Sequence, residues 1–340
     1  MISERVFGAF PNGKLLRIWT IRNCYGESVD LLEYGASINA LNVMDRERKV
    51  ESVVYGAQSA EQLCLPGARR AAIMGRCGNR IKSGKCVLDG REVQLETNEK
   101  GNLIHSGSAN YADKFFKGEK ASENSVSFTY LDPGGAGFDS EVDVRIIYTF
   151  DDEHGLAISY ELIPHGTTVL SPTNHAYFHL DSSGTVLDHK LMIRAEKMAF
   201  KDETGCPTGE VFEVKGTPFD LANSYRIGDK VEELKRYRPS SPFYDDYYLV
   251  ERCGEMKEVA ELYSSVSGRK MKVETDMPCV ILFSRGRKID GAFTEADAVC
   301  LETQFVPNAV NCPQFDSPVF HKGEVFRSKT VYRFSTDMIS

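Results

Sequence analysis

Two stretches place ionisable residues inside apolar, strand-like chain. Ser171-Pro172-Thr173-Asn174-His175-Ala176-Tyr177-Phe178 carries a histidine. Leu301-Glu302-Thr303-Gln304 carries a glutamate directly after Ala298-Val299-Cys300-Leu301. An imidazole that gives up a proton and a carboxylate that takes one are what proton shuttling on a polyhydroxylated substrate requires. Each residue also has a plain structural reading. In extended chain Thr173, His175, Tyr177 and His179 share one face, and His175 there could be a hydrogen-bonded core histidine. Glu302 is costly to bury without partners, and burial would lift its pKa toward that of a general base; at a strand end it would simply face water. Histidines at i and i+4 ligate zinc from a helix, but this segment is strand-like and offers no third ligand, so no metal is expected.

Three further segments carry polar groups suited to a ligand. Gly75-Arg76-Cys77-Gly78-Asn79-Arg80-Ile81 combines small residues, which permit close backbone approach, with arginines, whose rigid forks bind hydroxyls or carboxylates. It reads equally as a loop with surface arginines. Asn102-Leu103-Ile104-His105-Ser106-Gly107 sets a second histidine before a glycine turn. Tyr244-Asp245-Asp246-Tyr247-Tyr248 mixes rings that stack on sugars with carboxylates that accept hydroxyl hydrogens, a composition shared by ordinary exposed turns.

The elements that must hold these residues have a period of two. Val142, Val144, Ile146, Tyr148 and Phe150 alternate with polar neighbours, Asp151-Asp152-Glu153-His154-Gly155 breaks the run, and Leu156, Ile158, Tyr160 and Leu162 resume it. That pattern predicts a hairpin with one face buried. Val126, Phe128 and Tyr130 alternate up to the breaker Asp132-Pro133-Gly134-Gly135. Cys86 to Leu95 reads as a tight hairpin turning at Asp89-Gly90, and Val331 to Phe334 as a closing strand. Helices are few: one starting at Ser59-Ala60-Glu61-Gln62 with the serine as cap, and one over Lys230 to Tyr237. The expected fold is all-β, one domain over residues 1–340, built of stacked antiparallel sheets.

Composition fits that picture. The chain has 340 residues, enough for a sizeable core, with 41% hydrophobic and 26% charged residues. Its net charge of -8 argues against nucleic acid or an anionic membrane as partner, and leaves a neutral small molecule open. The nine cysteines are scattered without a C-x-x-C pair, so neither a disulfide framework nor a zinc site is expected. No long apolar run follows Met1. Free thiols in the cytoplasm are the simplest expectation.

Taken in order, these segments resemble the aldose 1-epimerase (galactose mutarotase) family. Gly75 to Ile81 is similar to its glycine–arginine block, Ile104-His105-Ser106-Gly107 to its histidine–glycine turn, and Thr173-Asn174-His175-Ala176-Tyr177-Phe178 to its central signature. Cys206-Pro207-Thr208-Gly209-Glu210, Gly216-Thr217-Pro218-Phe219-Asp220, and Leu301-Glu302-Thr303-Gln304 through Ser317-Pro318 complete the match. The resemblance implies a β-supersandwich that interconverts the α and β anomers of a free aldohexose, galactose or glucose, with no cofactor and no metal, as a monomer or homodimer. It implies Glu302 as the base at the anomeric hydroxyl and His175 as the acid at the ring oxygen. His105, Arg80 and Asp245 would hold the sugar, with Asn79 assisting. Ile281 stands where a sugar-contacting glutamine is common, Asp246 where a histidine usually follows the aspartate, Ser106 for a glycine and His179 for an asparagine. An epimerase for a phosphorylated aldose, using Arg69, Arg70, Arg76 and Arg80, and a non-catalytic sugar-binding protein remain as alternatives.

Overall fold

The computed structural model describes residues 1–65, 71–181, 184–239, 243–251, 255–284, 288–289, 292–293 and 297–337. Nine antiparallel strands form its largest sheet, in the order Lys117–Lys120, Ser125–Asp132, Val142–Phe150, Gly155–Pro164, Phe326–Thr336, Arg269–Thr275, Lys257–Tyr263, Lys190–Ile193 and Tyr225–Arg226. The alternation read from the sequence is realised here: Val142, Val144, Ile146, Tyr148 and Phe150 are all buried, and Tyr148 pairs with Ile158 across the hairpin. The residues at Asp89 and Gly90 both adopt positive φ, as a two-residue turn between Lys85–Leu88 and Arg91–Gln94 demands.

A five-stranded sheet opens the chain, from Ile2–Ala9 to Val50–Ser52. A second five-stranded sheet runs Pro207–Glu213, Lys197–Lys201, Asp245–Leu249, Cys279–Phe283 and Cys300–Gln304. One apolar cluster joins all three sheets, with Val29 and Leu31 from the first, Tyr148 and Ile158 from the largest, and Tyr248, Val280, Leu282 and Leu301 from the third. The fold is the all-β, stacked antiparallel architecture expected.

The helices depart from expectation in detail. Glu61–Cys64 is a 3-10 turn capped by Ala60, without a side-chain cap from Ser59. The α-helix spans Ile227–Tyr237, three residues earlier than the sequence suggested, and buries Ile227, Val231 and Leu234 on one stripe. Asp229 in its first turn and Lys235 and Arg236 in its last match the helix dipole.

Candidate active site

The third sheet presents alternate residues to opposite sides. Tyr248, Val280, Leu282 and Leu301 face the core. The other face carries Tyr247, Ile281 and Glu302 in one cross-strand row, and Asp245 beside Phe283 in the next. Glu302 is 2% exposed within Cys300–Gln304, so it is the buried strand carboxylate and not a solvated strand end.

His175 reaches this face from outside the sheet. The strand in its segment covers only Thr173–Asn174, paired with Ile73–Met74. Beyond it His175 still exchanges backbone hydrogen bonds with Ala71 and Ala72, and Phe178 bridges Val54 and Val299; of the four residues expected on one polar face, His175 and Tyr177 stack on each other while His179 packs against His189. His175 stacks on Tyr177, with ring centroids 5.0 Å apart and planes 16° apart, and meets Phe283 and His105 edge-on at 5.9 and 5.7 Å. Its Nε2 lies 3.5 Å from Glu302 Oε1. Glu302 Oε2 and His175 Nδ1 have no hydrogen-bond partner among the described residues.

Burial governs the protonation of the pair. It pushes the His175 imidazole down to about 4, against the pull of a backbone hydrogen bond and the Asp245 charge. It pushes the Glu302 carboxyl well above the ordinary range, reinforced by Asp245 and opposed by Arg80. The two shifts run in the same sense for proton sharing: burial favours a neutral imidazole and a protonated carboxyl over the charged pair.

The rest of the cluster comes from loops. Arg80 pairs with Ile104 in a short ladder that carries His105 to the site. His105 Nδ1 accepts the Asn79 N–H at 3.1 Å, which puts the hydrogen of a neutral ring on Nε2. His105 and Asn79 both sit at positive φ. Ser106, also at positive φ, uses its hydroxyl to accept from the Cys77 N–H and donate to the Cys77 carbonyl, fixing the loop. Arg80 donates to Glu99 at 3.1 Å and lies 3.7 Å from Asp245 Oδ2. Burial works against its charge, but Tyr247, Asp245 and Glu99 outweigh burial and hold it protonated. All six sequence-derived residues thus gather in one neighbourhood.

Four neighbours were given no individual role by the sequence. Tyr247 is fully buried; its hydroxyl donates to the Gly205 carbonyl at 2.7 Å, accepts from Arg80 at 3.1 Å and lies 3.2 Å from Asn79 Oδ1. Gln304, two residues after Glu302, donates to the Gly78 carbonyl at 3.2 Å. A Cβ on Gly78 would stand 2.7 Å from Gln304 Oε1 and 2.9 Å from the Thr173 methyl, so a larger residue there would displace Gln304. Tyr177 and Phe283 supply the rings beside His175. Period-two spacing from Asp245 and Glu302 is the signal that would have found Tyr247 and Gln304. A cavity of about 750 Å³ opens beside Arg80, Asp245 and Phe283 and continues past Lys201, Thr204 and Gly205.

Other sequence candidates are engaged differently. Asp246 is buried at the wall of the same cavity, where Arg238 and Lys201 grip it at 2.9–3.0 Å. Arg76 is wholly buried against Asp132. Arg69 and Arg70 lie outside the described residues. His179 groups with Asp181 and His189, their ligand atoms within 4.8 Å of one another. His179 Nδ1 and His189 Nε2 each accept a backbone N–H, so neutral rings turn hydrogens, not lone pairs, toward that group. No described helix is long and apolar enough to cross a membrane.

Comparison with known proteins shows what the whole chain is similar to. A family model described as aldose 1-epimerase matches residues 17–333. Galactose mutarotase of Rattus norvegicus is 32% identical over 346 residues, covering 98% of both chains. Aldose 1-epimerase of Escherichia coli (strain K12) is 27% identical over 342 residues, 95% of this chain and 96% of that one. Among solved structures, an aldose epimerase homologue from C. elegans superposes with a TM-score of 0.85 at 25% identity, covering 93% of this chain and 98% of that one. Galactose 1-epimerase from Lactobacillus acidophilus NCFM gives 0.84 at 22% identity, covering 99% of each chain.

Proposed function

This chain belongs to the aldose 1-epimerase family of isomerases, and from that membership we propose that it interconverts the α and β anomers of a free aldohexose, galactose or glucose, using Glu302 as base and His175 as acid. The observation that carries the reading is the contact between the two, 3.5 Å apart and both buried. Glu302 takes the proton of the anomeric hydroxyl as the C1–O1 double bond forms. The C1–O5 bond breaks, its electron pair goes to the ring oxygen, and His175 supplies the proton there. The open aldehyde rotates about its C1–C2 bond, and both transfers reverse on closure.

In this reading the cycle runs with one proton shared by the pair. Moving it from Glu302 to His175 across their contact creates a carboxylate base and an imidazolium acid. Sugar hydroxyls donating to the carboxylate favour that transfer. Arg80 and Asp245 hold hydroxyls, His105 lies toward the ring oxygen, and Asn79 steadies Arg80 through its side-chain oxygen. We take residues 1–340 as one domain, because Asn79 to Glu302 must all contribute to one site. Arg80 is already engaged by Glu99 and Asp245 and Arg76 by Asp132, which supports a neutral sugar over a phosphorylated one.

Polarimetry of freshly dissolved α-D-galactose and α-D-glucose tests this. Wild-type protein should speed mutarotation above the buffer rate, and Glu302→Gln should return it to roughly that baseline. Full turnover by the variant would remove Glu302 from the role of base. Binding of sugar with no acceleration by the wild type would favour a non-catalytic binder.

A further inference from the structure

A buried phenol ties together three segments that shape the candidate site. Tyr247 is fully buried and pairs across the third sheet with Ala199 on one side and Ile281 on the other, in the row that ends at Glu302. Its ring therefore projects to the site face, beneath the loops that cover it. There its hydroxyl accepts from Arg80 NH1 at 3.1 Å, donates to the Gly205 carbonyl at 2.7 Å and lies 3.2 Å from Asn79 Oδ1. A hydroxyl that accepts from a guanidinium while donating to a carbonyl is polarised in the sense that strengthens both bonds.

Arg80 is held from several sides at once. Its Nε donates to Glu99 at 3.1 Å, so Glu99 and Tyr247 hold two edges of a planar, rigid fork and fix its orientation. Gly205 closes on the plane: at φ +86° a Cβ there would stand 3.2 Å from Arg80 Cζ. The loop that carries Gly205 is itself tied down. Asp202 Oδ1 accepts from the Thr204 N–H at 2.8 Å and the Cys206 N–H at 3.1 Å, and Asn102 donates to the Thr204 hydroxyl at 2.7 Å. Arg80, Asp245 and Gly205 line the cavity of about 750 Å³, and Tyr247 lies behind them with no exposed surface.

We propose that Tyr247 is a positioning residue for the reaction: its hydroxyl seats the Arg80 guanidinium against the Gly205 loop and so sets the angle at which Arg80 meets a sugar hydroxyl. The proposal rests on the reading of Arg80 as a residue that holds the sugar. A phenol suits the task, because its rigid ring is fixed on both sides by cross-strand neighbours and its oxygen both accepts and donates. The effect falls on binding. Arg80 meets hydroxyls, while Glu302 and His175 move the protons, so a loosened guanidinium weakens the hold on sugar more than it slows the chemistry.

The test removes the hydroxyl and keeps the ring. Tyr247→Phe is made in the wild type and in Arg80→Gln. Tyr248→Phe is the control, since it loses a hydroxyl that donates to the Phe219 carbonyl on the core side. Polarimetry with galactose and glucose gives kcat and KM, and thermal melts show which variants are folded. Tyr247→Phe should raise KM about tenfold and change kcat by less than about threefold. In Arg80→Gln the same change should add less than about twofold to KM, because the residue it acts through is gone. Tyr248→Phe should leave both constants as in the wild type. An unmoved KM, a fall in kcat alone, an equal KM penalty in both backgrounds or the same KM rise in Tyr248→Phe overturns the proposal. If Tyr247→Phe does not fold, Gly205→Ala decides: crowding the guanidinium from the loop should raise KM only where Arg80 is present, and no such rise overturns the proposal. A wild-type KM in Arg80→Gln alone would instead overturn the reading of Arg80 as a sugar-holding residue, and it shows before Tyr247 is touched.

Discussion

His175 Nε2 stands 3.5 Å from Glu302 Oε1, although the two residues arrive on a loop and on a sheet strand from distant parts of the chain. On the proposed reading His175 belongs to the chemistry more than to binding. His175→Asn should lower kcat by roughly 10²–10⁴-fold, the usual worth of a general acid, while KM changes only a few-fold. Steady-state polarimetry over a range of sugar concentration separates the two constants. An unchanged kcat with a raised KM would make His175 a sugar-holding residue instead.

The same burial has a consequence for folding. A histidine whose folded pKa lies below its unfolded value binds fewer protons folded than unfolded as pH falls. Its contribution to stability is full above the unfolded value near 6.5 and is lost as pH drops through about 4. For His175 that loss is on the order of 3 kcal/mol. Burial pushes His189 in the same direction, whereas Glu302 has the opposite sign: its raised pKa favours the fold below the unfolded carboxylate value and loses that advantage as pH rises. Urea unfolding at pH 7 and pH 4 should show His175→Asn losing about 3 kcal/mol less than wild type between the two. Equal losses would mean that His175 titrates normally in the folded protein.

The sequence carried the strands through period two and the catalytic candidates through misplaced charge. Val142 to Leu162 alternates because one face of that hairpin meets the core, and Glu302 stood out because a carboxylate in an apolar run needs a reason. The side of approach was not legible. Thr173, Asn174 and His175 read as one strand with Tyr177 and His179; the named ladder with Ile73–Met74 covers only Thr173 and Asn174, His175 adds backbone bonds to Ala71 and Ala72, and Phe178 then bridges Val54 and Val299. His179 then joins His189 and Asp181, and His175 faces Glu302. Local alternation reports which residues could share a face; the end of a ladder depends on what a remote strand offers. Asp245 and Asp246 show the same limit. They look interchangeable in sequence, but one faces the site and the other is locked inside by Arg238 and Lys201. Arg76 and Arg80, four residues apart in a glycine-rich stretch, serve anchoring and the site respectively.

Arg76 fixes the loop that delivers Asn79 and Arg80. Its Nε and NH2 donate to Asp132 Oδ2 at 2.8 and 2.7 Å, NH1 donates to Thr168 at 3.1 Å, and NH2 also reaches the Ser140 carbonyl at 2.8 Å. Tyr111 donates its hydroxyl to the same carboxylate oxygen at 2.9 Å. Arg76 and Asp132 are 0% and 1% exposed, so neither charge can turn to water if the other is removed. Asp132→Asn should therefore cost about 3–5 kcal/mol, the penalty of an uncompensated buried guanidinium. Replacing both partners by apolar residues, Arg76→Met with Asp132→Leu, should recover much of that loss, because the desolvation of two charges disappears along with their attraction. Urea unfolding of the two single variants and the double variant measures the coupling. A loss below about 1 kcal/mol in Asp132→Asn would show that water or another group reaches Arg76 and that the pair does not anchor the loop.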